Sequence, residues 1–190
     1  VEEKVKRGIV HFNVDEHPKT TTPEVLAGLR TVFQKDGTVT AGNASGINDG
    51  AAAIVLASST AADHAGLKPK FRILGYGHAG VRPSVMGIGP VPAVKNLLSK
   101  TGLSISDFDV IESNEAFAAQ AIAVNRELGL DPKRVNPNGG AIALGHPVGA
   151  TGTIIMVKLM AELERSAGTK GLATMCIGGG QGIAVAIERI

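Results

Sequence analysis

A chain of 190 residues with 44% hydrophobic content holds enough apolar material for one large domain or a domain and a half, which argues against intrinsic disorder. Its 19 basic and 17 acidic residues leave a net charge of +2, too balanced for a nucleic-acid surface, although a small anionic ligand needs only a few local cations and amides. The single cysteine rules out an internal disulfide, and without Cys or His pairs at ligand spacing a structural metal site is not expected; a reducing compartment fits, the cytoplasm or, in a eukaryote, the mitochondrial matrix.

Aromatic residues make up only 3% of the chain while Ala and Gly abound, so the core must be closely packed from small side chains, as where helices lie flat on a sheet. No run reaches the roughly 18 apolar residues of a spanning helix, so no membrane partner is expected. Val1–Arg7 lacks the apolar region of a signal peptide, and the opening residues read as the middle of a longer polypeptide.

In chain order, residues 8–14 alternate as a strand, and 15–23 form a polar connector. Pro23 opens a helix in which Val25, Leu26, Leu29, Val32 and Phe33 share a face, ended by Asp36-Gly37. Residues 38–43 read as extended, leading through the polar loop 44–50 into the apolar run 51–57, a buried strand. A short helix over 58–66 precedes the strand 71–80. The Pro- and Gly-rich stretch 82–92 is a loop until Pro92 opens a helix that stops at Gly102. Residues 108–113 form a strand and Asn114 takes the N-cap of a helix over 115–125. A short strand at 133–136 leads into Asn136–Gly152, dense in Gly and Pro, where backbone must approach something closely. The helix 151–167 sets Lys158, Glu162 and Arg165 on a polar face opposite Ile155, Met156, Leu159, Met160 and Leu163, with Gly168 as its cap. Two strands, 172–176 and 183–190, close the chain across Gly178–Gly182. No internal repeat or low-complexity tract is present. The order of elements from residue 70 implies crossovers and a mixed sheet with an antiparallel final pair.

Asn114, His146 and Cys176 each follow a strand, at the edge where α/β folds gather ligand sites. Singly, each has a structural reading: Asn114 as a cap, His146 as a loop hydrogen bond, Cys176 as a small buried hydrophobe. Together, a thiol beside an imidazole can act as base or nucleophile, glycine runs free amides for an oxyanion, and an Asn amide can hold a water or carbonyl. Acyl transfer or carbon–carbon bond formation beside a thioester needs such parts.

The segments Asn114-Glu-Ala-Phe117, the run from Asn138 through His146-Pro-Val-Gly, and Cys176-Ile-Gly-Gly-Gly-Gln-Gly182 resemble, in order and separation, the three active-site motifs of the C-terminal half of thiolases, the acetyl-CoA acetyltransferases and 3-ketoacyl-CoA thiolases. Residues 40–50 and 85–92 resemble further family stretches. The resemblance implies an α/β, thiolase-like layered fold: a mixed five-stranded sheet with helices on both faces, the C-terminal half of an αβαβα architecture. It divides the chain into the end of a CoA-binding loop region (1–47), a closing segment of the N-terminal thiolase domain (48–69) and a C-terminal domain (70–190). It implies Cys176 as the acid/base at the carbon beside a thioester, His146 as activator of the acyl-accepting cysteine and binder of the thioester oxygen, Asn114 as holder of an oxyanion-hole water, and the Gly178 amide as stabiliser of the acyl-enzyme oxygen. Ser45 corresponds to a partner of the pantetheine arm, Phe33, Ala41, Ala116 and Phe117 to the lining of its tunnel, and Met86 to a residue of short-chain enzymes.

Thiolases use two cysteines, and the one that becomes acylated is missing from residues 1–190. The resemblance therefore implies, with no cofactor and with acyl-CoA and CoA as substrates, a partner that carries the N-terminal half, within a homo-oligomer that is a dimer or tetramer; this chain by itself is expected to be inactive. The competing reading is a non-catalytic CoA- or acyl-CoA-binding fragment, or a remnant that interacts with a complete thiolase. A structural α/β domain with glycine-rich turns explains the composition but leaves the motifs to accident.

Overall fold

Small residues let helices lie flat on a sheet, and the computed structural model of the chain, which describes residues 2–190, is built that way. The first part carries strands β1 (Glu2–Val5) and β2 (Gly8–His11) and the short helices α1 (Pro23–Ala27) and α2 (Ser59–His64). The second part carries β3 (Phe71–Gly80), α3 (Pro90–Thr101), β4 (Val110–Ser113), α4 (Ala118–Leu128), α5 (Ala141–Leu144), α6 (Thr151–Ser166), β5 (Lys170–Ile177) and β6 (Gln181–Arg189). Two 3-10 turns, Pro83–Ile88 and Ile105–Asp107, join them.

The main sheet has the order β3-β6-β5-β4. β4 runs parallel to β5, and β6 is antiparallel to both of its neighbours, so β3, β4 and β5 point the same way and end at one edge of the sheet. Alternation along the strands serves two layers at once. Ile111, Leu172 and Ala186 pack with Ala93, Val94 and Leu97 of α3, while Val110, Ala173 and Ile187 pack with Ile155, Leu159 and Leu163 of α6. The near absence of aromatics has its reason here. A side chain at Gly77 would collide with the backbone of Ala93 and Leu97, and one at Gly182 with the backbone of Gly89, so α3 reaches the sheet at backbone contact distance.

The expected mixed sheet with helices on both faces is present. Four of its strands form a continuous ladder, and the fifth, expected at 133–136, is reduced to a bridge between Val135 and Ile111, because Asn136 turns into the left-handed region (φ 47°) and Pro137 offers no N–H. The helix after β3 starts at Pro90 rather than Pro92, and the residues before it wind into a 3-10 turn. The strand expected from 108 begins at Val110, with Phe108 turned into the core at the end of the second 3-10 turn. The helix expected from Pro23 through Phe33 stops at Ala27, since Gly28 weakens it and Thr31 is drawn into a bridge with Thr40. β1, in a charged stretch without apolar periodicity, pairs with β2 in an exposed ribbon. Ala167 (φ 56°), not Gly168, takes the left-handed cap of α6.

Two further departures bear on the site. The run 51–57 forms no strand; Val55 is 88% exposed, and no strand among the described residues pairs with it. Asn114 is not an N-cap: α4 starts at Ala118, with Phe117 as cap residue. Residues 114–117 stay out of the helix because both sides offer partners, Asn114 N–H donating to Thr174 O (3.0 Å), Ser45 N–H to Ala116 O (3.0 Å) and Ala118 N–H to Asn43 O (2.8 Å).

Leu159 is fully buried against Gly171 beneath the sheet. Leu159→Ala should lower unfolding stability by about 2–5 kcal/mol in a denaturant titration; a loss below about 1 kcal/mol, the scale of a surface substitution, would contradict this packing.

Candidate active site

The end of β4 delivers Asn114 to the shared strand edge, only 3% exposed. His146 comes from the loop after α5, and its backbone N–H is held from the other side of the site by Asn48 Oδ1 (3.1 Å) and Gly46 O (3.3 Å). The two side chains meet, Asn114 Nδ2 lying 3.4 Å from His146 Nε2.

The other ring nitrogen decides the tautomer. His146 Nδ1 is 2.7 Å from Thr151 Oγ1, and the single hydroxyl proton of Thr151 goes to Pro147 O (2.9 Å). Thr151 Oγ1 must therefore accept, which places the ring proton on Nδ1 and leaves Nε2 with its lone pair, to which the Asn114 amide donates. Burial alone pushes the imidazole below its ordinary value of about 6.5, so the ring is neutral at neutral pH. Asn114 Oδ1 is buried and has no hydrogen-bond partner, which leaves a strong acceptor for a ligand or water beside the unprotonated imidazole nitrogen.

Cys176, 6% exposed, stands near the end of β5 opposite Gly182, two residues beyond the Thr174 carbonyl that receives the Asn114 amide proton. It thus shares the strand edge with Asn114. No hydrogen bond joins it to His146 or Asn114 among the described residues. Burial raises its thiol pKa above the ordinary value of 9.0, so it rests as a thiol. Gly178 opens the turn between β5 and β6, exposed and with open space around it, while Gly179 and Gly180 take φ values of 84° and 94° that a side chain would resist.

The remaining residues named from sequence cluster beside α4. Both Ser45 N–H and Ser45 Oγ–H donate to Ala116 O at 3.0 Å, so loop 43–45 lies along 116–118 through a single antiparallel bridge between Ala44 and Phe117. Phe33, 71% exposed, sets its edge on the Phe117 ring (centroids 5.6 Å apart, 86° between planes). Ala41 sits exposed in a turn closed by Asn43, whose Oδ1 accepts from Thr40 N–H (2.8 Å). Met86 is half-buried in the 3-10 turn that packs on α4, where Gly87 abuts Gln120.

Sequence reasoning missed the supporting residues. Lys158 and Glu162 are not on a solvated face. Lys158 Nζ donates to Glu112 Oε2 (2.8 Å) and Gly139 O (2.6 Å), and buried Glu162 receives Arg165 and Asn138. Glu112 is 1% exposed and its carboxyl pKa is raised by burial against the opposing pull of Lys158. Glu112 and Lys158 line a cavity of about 280 Å3 that reaches Asn114 and Thr151. Only the acidic residue inside an apolar strand signalled this pair in advance; Thr151 and Asn48 carried no signal beyond polarity beside a glycine-rich loop. Among the described residues no His, Cys, Asp and Glu group is arranged to hold a metal, and no helix is long and apolar enough to cross a membrane.

A family model described as the thiolase C-terminal domain matches residues 67–189, and one described as the thiolase N-terminal domain matches residues 1–60. Among curated relatives, the beta-ketothiolase BktB of Cupriavidus necator is 59% identical over 189 residues, covering 98% of this chain and 48% of the relative, and an acetyl-CoA acetyltransferase of Syntrophomonas wolfei is 53% identical over 189 residues with the same coverage. Among solved structures, the Bacillus anthracis acetyl-CoA acetyltransferase superposes with a TM-score of 0.89 at 52% identity, covering 100% of this chain and 48% of its own. Human mitochondrial 3-ketoacyl-CoA thiolase in complex with CoA gives the same TM-score, identity and coverage. The chain thus spans about half the length of the relatives it matches, with homologous sequence from residue 1 to residue 189, and it belongs to the thiolase family.

Proposed function

We propose that the chain provides the enolising half of a thiolase active site, which catalyses reversible thiolytic cleavage and Claisen condensation of acyl-CoA, with the acyl-accepting cysteine contributed by an N-terminal half beyond residues 1–190. The observation that carries this reading is the Asn114–His146 contact with Nδ1 tied to Thr151, which aims an unprotonated Nε2 and a free amide oxygen into one place. In the acylation that precedes condensation, the Nε2 lone pair of His146 takes the proton of the partner cysteine, whose thiolate attacks the first thioester, and the Cys176 thiol gives its proton to the departing CoA thiolate. Cys176, now a thiolate, then takes a proton from the carbon next to the second thioester. The developing enolate oxygen accepts from the Nε2–H that His146 has acquired from the partner cysteine and from a water held on Asn114 Oδ1. The enolate carbon then attacks the acyl-enzyme carbonyl, whose oxygen leans on the Gly178 amide; the new carbon–carbon bond forms and the partner cysteine leaves as its thiolate, which takes its proton back from His146 Nε2. The raised pKa of Cys176 suits the step in both directions, since a thiolate of high pKa is a strong base for a carbon acid and its thiol returns the proton in thiolysis.

In this reading Ser45 meets the pantetheine arm, Phe33, Ala41, Ala116 and Phe117 line its passage, and Met86 bears on acyl length. CoA thioesters are substrates, and no cofactor takes part. Support comes from the CoA-bound relative of 52% identity. The segment 48–69, whose apolar run is unpaired here, completes the N-terminal domain's sheet in the assembled enzyme, which is a homo-oligomer. The single cysteine of residues 1–190 favours a second reading for the chain by itself, that it binds CoA thioesters without turnover.

In the complete enzyme, Cys176→Ser should reduce condensation by about 100-fold or more while mass spectrometry still detects the acylated partner cysteine. Equal loss of both steps would make Cys176 structural. The pH profile follows from His146: Nε2 must be unprotonated, and a lowered pKa keeps it so to lower pH, so the acid limb of kcat should fall below pH 6.5. An acid limb above the ordinary imidazole value would contradict this assignment.

A further inference from the structure

Asn114 and His146 reach each other from two separate segments, and one carboxylate joins those segments. Glu115 follows Asn114, and its Oε1 accepts from Asn136 Nδ2 (3.1 Å) while its Oε2 accepts from the backbone N–H of Ile142 (3.3 Å) in the first turn of α5. The cap residue of α5, Gly140, offers no side chain of its own for that turn. A Cβ at Gly140 would fall on the Glu115 carboxylate, so the glycine is required by the carboxylate rather than by its own backbone (φ −106°, ψ −171°), which any residue adopts. From α5 the chain passes through Gly145 directly to His146.

Asn136 cannot adapt to a different partner. Its Oδ1 accepts from Ser113 N–H (2.9 Å) and its Nδ2 donates to Ser113 O (2.8 Å), imitating a strand neighbour at the end of β4, so rotating the amide would set donor against donor. Two fixed N–H donors therefore converge on residue 115, and only a group that accepts at both oxygens satisfies them. No cationic side chain among the described residues pairs with Glu115, which distinguishes it from the neighbouring Glu112–Lys158 pair.

Resting on the thiolase reading above, we infer that Glu115 is a positioning residue for this reaction: an acceptor-only clamp that sets the distance between the segment bearing Asn114 and the loop bearing His146. It touches neither substrate nor reacting atoms. It acts on catalysis through the registry of the other two side chains, whose 3.4 Å contact leaves little room for displacement.

Three substitutions and two readouts test this. In the complete enzyme, Glu115→Gln presents an NH2 to one of the two donors and should lower kcat by about 10- to 100-fold, with the KM for CoA within about twofold of wild type. Gly140→Ala should reproduce that loss. Added to Glu115→Ala, it should cost nothing more, because the carboxylate it displaces is gone. In the 190-residue chain, the imidazole nitrogen resonances of His146 should shift in Glu115→Gln while the amide resonance of Leu159 in the core stays in place. Unchanged His146 resonances, a kcat within about twofold of wild type, or full additivity of the two alanine substitutions would overturn the proposal. Absence of thiolytic turnover in the wild-type complete enzyme would refute the functional reading alone; the His146 resonances would then decide the clamp by themselves.

Discussion

Everything at the site depends on one imidazole being held in one orientation. The His146 ring is fixed at Nδ1 by a hydroxyl that has already committed its proton to Pro147 O, and its backbone is fixed by Asn48 and Gly46. What remains is a lone pair at Nε2 facing the Asn114 amide, in surroundings that disfavour the imidazolium. A histidine free to flip or to protonate would present a second proton in place of a lone pair at that position, and both the acceptor and the neighbouring water site on Asn114 Oδ1 would change character.

That arrangement is possible because the scaffold brings backbone unusually close to backbone. β4 and β5 end side by side, which puts Asn114 and Cys176 at one edge, and the loop 136–146 can fold over that edge only through left-handed residues and through glycines that make room for side chains arriving from elsewhere. The same economy of size lets α3 rest on β3 at Gly77 and on β6 near Gly182. Beneath the loop, Lys158 reaches the Gly139 carbonyl while neutralising Glu112, so α6 supports the site through a buried charge as well as through its first residue, Thr151. A buried pair of this kind contributes more to placement than to net stability, because desolvation offsets much of its attraction.

The part of the fold legible in the sequence is the part governed by short-range periodicity. β3, α3 with its stop at Gly102, α6 and the β5–β6 hairpin follow from apolar spacing and glycine punctuation. Where tertiary partners compete, local preference loses. Asn114 has the chemistry of a cap, yet its amide is claimed by Thr174 and the next residues by loop 43–45, so α4 starts later. Residues 28–33 have helical spacing but yield to a bridge across Thr31 and Thr40. Lys158 and Glu162 sit at positions that a helical wheel assigns to solvent, and only the three-dimensional neighbours Glu112, Gly139 and Asn138 explain their burial. The candidate site residues were legible through family motifs. The residues that orient them were not, because Thr151 and Asn48 act through contacts that no spacing along the chain encodes.

Nitrogen NMR at neutral pH reads the protonation pattern of the His146 imidazole, on which the site depends. The expected result is a neutral ring with its proton on Nδ1 and none on Nε2. A ring protonated on Nε2, or carrying both protons at neutral pH, would contradict it.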